Sequence, residues 1–113
     1  MSLIIYHNPR WSKSRESVKI LEKEIGSFTI IEYLKEGISK EQIHLIIEVL
    51  NIEPIELIRK NESDYKDNAE SDMDNQSIIK LIEKYPKILQ RPIILNGRKG
   101  VIGRPPENIY TIL

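Results

Sequence analysis

The sequence predicts an α/β domain built on a mixed four-stranded sheet. Three observations predict it. A strand-like run over residues 2–6, helix-spaced apolar residues up to Ile25 and a β-branched run over 28–33 form a βαβ pattern. The middle of the chain keeps the helical period, and its last third changes to two short apolar runs about an Asn-Gly pair. With 113 residues, 40 % apolar and 30 % charged, the chain reads as one globular domain spanning 1–113, with a helical insertion at about 38–86.

Taken in order, Ser2-Leu3-Ile4-Ile5-Tyr6 is read as a buried strand. Val18, Ile20, Leu21 and Ile25 recur at helical spacing from Lys13 onward, with Ser12 or Ser14 as the N-cap and Gly26 as the stop. Phe28-Thr29-Ile30-Ile31-Glu32-Tyr33 follows as the second strand, and a right-handed crossover between the two strands is expected. Ser39 and Gln42 fit a capping box for a helix over about 40–50. Pro54 opens a short helix through Leu57 and Ile58. Residues 60–76 are polar and rich in Asn and Asp, with one helical turn expected near Tyr65. Ile78, Ile79, Leu81 and Ile82 place a helix over 75–84.

Arg91-Pro92-Ile93-Ile94-Leu95 then reads as a strand, Asn96-Gly97 as a hairpin turn and Gly100-Val101-Ile102-Gly103 as the return. Pro105-Pro106 opens a last helix ending at Leu113. The order βαβ, helices, ββα is that of a thioredoxin-like fold with an inserted helical subdomain.

Composition narrows the chemistry. Seventeen basic and seventeen acidic residues balance, so no global field draws the chain to nucleic acid or to an anionic membrane. No apolar run approaches the roughly 20 residues that span a bilayer. The N-terminus lacks a charged segment followed by a small-residue cleavage site, so no signal peptide is read and a cytoplasmic location is expected. There is no cysteine, which removes disulfides, thiolate metal sites and thiol catalysis by this chain. His7 and His44 have no metal-ligand spacing, and no metal is expected.

Residues 4–15, Ile-Ile-Tyr-His-Asn-Pro-Arg-Trp-Ser-Lys-Ser-Arg, carry a strand–loop–helix junction of the kind whose backbone N–H groups converge on an anion. The loop resembles that of the glutaredoxin-dependent arsenate reductases, thioredoxin-fold enzymes with a His-Asn-Pro-x-Cys-x-x-Ser-Arg loop. Further blocks extend the resemblance over nearly the whole chain. Leu57-Ile58-Arg59-Lys60-Asn61-Glu62 is similar to the family's Leu-x-Arg-x-x-Glu, and Tyr85-Pro86-Lys87-Ile88-Leu89-Gln90-Arg91-Pro92-Ile93 to its His-Pro-x-Leu-x-x-Arg-Pro-Ile. Gly103-Arg104-Pro105-Pro106-Glu107 matches its closing segment.

The resemblance implies an oxyanion pocket lined by Arg59, Arg91 and Arg104, because guanidinium forks match tetrahedral oxyanions. It implies that His7, Ser14 and Arg15 support the reactive position, that Asn8 and Pro9 shape the loop, and that Pro92 is cis. Trp11 stands where the family has its nucleophilic cysteine, and an indole cannot perform that attack. Ser12, adjacent, is an unactivated hydroxyl and cannot shuttle two electrons.

Three readings follow. The first is a catalytically silent member, a pseudoenzyme that binds arsenate or a phosphate-like oxyanion, or a protein partner, with no bound cofactor. The second is a working reductase whose thiol comes from outside, with glutathione and glutaredoxin as electron donors. The third is a regulatory binding protein similar to the Spx-type regulators, but without their Cys-x-x-Cys switch, since positions 11 and 14 are Trp and Ser.

Overall fold

The computed structural model describes residues 3–113. Ser2, the first residue of the expected opening strand, lies outside the described residues. The chain divides into two compact units, one formed by the residues up to Glu36 together with Arg91–Leu113, the other by Gly37–Gln90.

The first unit carries the sheet. Strands β1 (Leu3–Tyr6), β2 (Thr29–Ile31), β3 (Ile93–Asn96) and β4 (Lys99–Ile102) lie in the order β2-β1-β3-β4. β1 pairs parallel with β2 and antiparallel with β3, and β3 pairs antiparallel with β4. The sheet is therefore mixed, as the order of elements predicts. The inner strands β1 and β3 are apolar almost throughout, and Ile5, Ile93 and Ile94 are fully buried. Leu3, Ile5 and Ile94 pack with Leu21 of helix α1 (Ser12–Glu24) and with Ile109 and Ile112 of the closing 3-10 segment Pro106–Ile112. Burying a side chain of this size stabilises the fold by about 1.5–3 kcal/mol, so this cluster fixes α1 and the chain end against β1 and β3.

Several sequence expectations need correction here. The second strand is only Thr29–Ile31, because Tyr33 already begins a short helix α2 (Tyr33–Glu36) with its ring fully buried. The hairpin loop is Gly97-Arg98, since Asn96 pairs with Lys99 inside the ladder. Gly97 takes the positive φ (63°) that a two-residue loop with glycine first requires. The last helix is 3-10 throughout. Gly26 does end α1: its φ is +81°, a left-handed conformation that glycine adopts freely at helix ends, and its N–H donates to the Leu21 carbonyl at 3.0 Å.

The second unit is helical: α3 (Lys40–Leu50), α4 (Ser63–Asn68) and α5 (Asn75–Lys84), with 3-10 turns at Pro54–Leu57 and Pro86–Ile88. The expected capping box is present, Gln42 N–H donating to Ser39 Oγ at 3.1 Å and Ser39 N–H to Gln42 Oε1 at 2.8 Å. Ile43 and Ile46 of α3, together with Ile78, Ile79, Leu81 and Ile82 of α5, are buried in this unit. An antiparallel bridge, Ile58 with Leu89, ties the two 3-10 turns together.

Candidate functional site

The junction between β1 and α1 is built by its own polar groups. Asn8-Pro9-Arg10-Trp11 is a turn closed by the Trp11 N–H donating to the Asn8 carbonyl at 3.0 Å. Asn at the first position and Pro at the second suit such a turn. The Asn8 side chain tightens it, Oδ1 accepting from the Arg10 N–H at 3.1 Å. Arg15 Nη1 adds a bond to the Pro9 carbonyl at 3.0 Å.

Because the turn closes on Trp11, the helix starts one residue earlier than expected, and neither serine caps it. Trp11 is the N-cap in extended geometry (φ −103°, ψ 128°), and no side chain caps the first turn, which also holds no acidic residue. Ser12 is already helical. Ser14 is fully buried and turned back on the loop, its Oγ accepting from the Asn8 N–H at 3.0 Å and lying 2.7 Å from His7 Nδ1. The Ser14 hydroxyl thus ties the imidazole to the loop backbone. Burial also pushes the His7 pKa below its ordinary 6.5, Glu32 opposing the shift and Arg15 reinforcing it. The His7 backbone is pinned by its N–H donating to Ile31 at 2.8 Å, one step beyond the β1–β2 ladder.

The second wall comes from the ends of β3 and β4. Their ladder pairs Ile93 with Ile102, and the Gly103 N–H extends it by donating to the Pro92 carbonyl at 2.8 Å. Arg91 and Arg104 are the next residue beyond this bond on each side. The Arg91–Pro92 and Arg104–Pro105 peptides are both cis. Asn108 Nδ2 donates to the carbonyls of Ile102 (3.1 Å) and Arg104 (3.3 Å), fixing the backbone that carries Arg104. The Arg91 guanidinium, 9 % exposed as a residue, lies 3.5 Å from the centroid of the Trp11 ring, and that of Arg104 lies 5.3 Å from it.

A surface cavity of about 330 Å³ opens beside this stack, lined by Arg10, Trp11, Ser12, Lys13 and Arg104. Three cations and no carboxylate line it, and an uncapped helix N-terminus borders it. Those are the electrostatics that attract an anion.

Of the residues singled out in the sequence, His7, Trp11, Ser14, Arg15, Arg91, Pro92 and Arg104 belong to the sheet unit. Arg59 belongs to the helical unit, where the Ile58–Leu89 bridge and its own N–H to the Ile88 carbonyl hold its backbone, and Nη1 donates to Glu62 Oε1 at 2.9 Å. Sequence reasoning missed Lys13 as a cavity wall and Asn108 as the support of Arg104. Helical position would have found Lys13, two residues after the N-cap. Nothing local marks Asn108.

No group of three or more His, Asp or Glu suited to a metal occurs among the described residues, and no helix there is long and apolar enough to cross a membrane.

The ArsC family profile matches residues 6–112. An arsenate reductase of Haemophilus influenzae is 40 % identical over the full length of both chains. One from Neisseria meningitidis is 31 % identical over 96 % of each. The solved structure of an arsenate reductase from Vibrio cholerae superposes with a TM-score of 0.93 at 33 % identity, covering 100 % of this chain and 98 % of the other. The chain is a member of the ArsC family.

Proposed function

We propose that this chain is a non-reducing member of the arsenate reductase family, in which Trp11 replaces the nucleophilic cysteine and the loop binds an arsenate- or phosphate-like oxyanion without turnover. The observation that carries the reading is the cavity at Trp11, with Arg10, Lys13 and Arg104 around an uncapped helix N-terminus. Reduction of arsenate takes two electrons from sulfur, and the sequence holds no cysteine to supply them. Binding needs only the cations and the helix end. The proposed anion-contacting residues of the sheet unit are Arg104 and Arg91; for Arg59 of the helical unit an oxyanion-binding role is proposed from the family resemblance alone. His7, Ser14 and Arg15 hold the loop in shape, and the proposed setting is the cytoplasm.

Calorimetric titration with arsenate and with phosphate tests the binding. Saturable binding of both that Arg104→Ala weakens supports the reading, and no heat from either anion overturns it. The alternative, a reductase using an external thiol from glutathione or glutaredoxin, is distinguished by arsenate-dependent NADPH consumption.

A further inference from the structure

The cavity beside Trp11 is larger than an inorganic oxyanion requires. Its volume of about 330 Å³ lies at the lower end of the range for pockets that hold small organic ligands, roughly 300–1,000 Å³. A single water in the liquid takes about 30 Å³, and an inorganic oxyanion is one small tetrahedron.

The walls are of two kinds. Arg10, Lys13 and Arg104 offer charge, and the indole of Trp11, the only tryptophan in the chain, offers a flat apolar surface. That indole is held in advance. Its backbone is fixed by the bond to Asn8, and its ring lies 3.5 Å from the buried Arg91 guanidinium. A rigid aromatic wall gives contact area at little entropic cost, so stacking on it strengthens binding more than stacking on a mobile side chain would.

We infer that the ligand of this site is a small aromatic phosphomonoester, its phosphate among Arg10, Lys13 and Arg104 and its ring against Trp11. The inference rests on the oxyanion-binding reading above and adds an organic body to it. No bond is made or broken.

Calorimetry with inorganic phosphate, phenyl phosphate and a phosphotyrosine peptide, on the native chain and on Trp11→Phe and Trp11→Ala, tests it. The expected result is phenyl phosphate binding about tenfold more tightly than phosphate to the native chain, the size of effect a stacked aromatic pair supplies. Trp11→Phe keeps most of that margin, and Trp11→Ala loses it. The comparison on the native chain decides the matter even if Trp11→Ala does not fold. Phosphate binding with no margin for phenyl phosphate overturns the aromatic ligand and leaves the oxyanion reading standing. Tighter binding of the peptide than of phenyl phosphate overturns the small-molecule assignment. Binding of none of the three overturns both readings.

Discussion

The guanidinium of Arg91 lies 3.5 Å from the centroid of the Trp11 ring, a cation–π stack between the start of β3 and the N-cap of α1. It joins the two chain segments that the family resemblance assigns to catalysis and to oxyanion binding. Such a stack is worth about 0.5–2 kcal/mol, the larger value when the cation is desolvated as here. Trp11 is the only tryptophan, so its signals report the contact directly. Arg91→Ala is expected to shift Trp11 emission and to weaken its near-ultraviolet dichroism. Unchanged spectra in that variant would mean the ring is held by something else.

The charges around the cavity set the second expectation. Arg10, Lys13 and Arg104 are exposed residues, so each contributes a screened attraction to a bound anion. Removing one of them is expected to weaken phosphate or arsenate binding about two- to fivefold. The affinity of the native chain is expected to fall with added salt. A salt-independent affinity would place the anion elsewhere.

His7 makes stability depend on pH. Its pKa is lower in the folded chain than the ordinary 6.5, so between the two values the unfolded chain binds the extra proton. The contribution of the neutral His7–Ser14 bond is therefore fully present above pH 6.5 and is lost as pH falls below it, toward the folded-state value. Asp74, lowered from 3.8 by its bond to the Ser77 N–H, acts only in a more acidic window. Denaturant unfolding at several pH values between 8 and 5 checks this. The native chain loses stability across that interval, and His7→Gln loses less. Equal slopes in the two proteins would remove His7 from the account.

Gly103 is required by its neighbours. A Cβ there would stand 2.9 Å from Pro92 Cγ and Ile94 Cδ1 and 3.0 Å from Ser17 Oγ. Gly103→Ala is expected to cost about 1–3 kcal/mol, the range for overpacking a dense core. Because Gly103 joins the strand end to Arg104, anion binding should weaken with it. A variant as stable as the native chain, measured by thermal or denaturant unfolding, would show that the three contacts give way.

Much of this was legible in the chain itself. The sheet follows from apolar runs and turn residues, and α5 matches the span set by Ile78, Ile79, Leu81 and Ile82 because its apolar stripe is unambiguous. The caps were legible where the acceptor is local, as with Ser39, and misleading where a tertiary partner takes it. Ser14 has the right chemistry for a cap, but its hydroxyl is claimed by His7 and the Asn8 N–H. β2 was overestimated because Tyr33 satisfies a strand pattern and a buried helical position equally well. The pairing of Arg91 with Trp11 depends on the β1–β3 register, which sets Tyr6 opposite Ile93 and which no local pattern encodes.

The most direct test of the central claim is an assay coupling arsenate, glutathione, glutaredoxin and glutathione reductase to NADPH oxidation, with the native chain beside Trp11→Cys. No arsenate-dependent NADPH consumption is expected from the native chain, and measurable turnover is expected from the variant. Turnover by the native chain would contradict the claim, because the thiol would then come from outside and Trp11 would not mark a lost reduction.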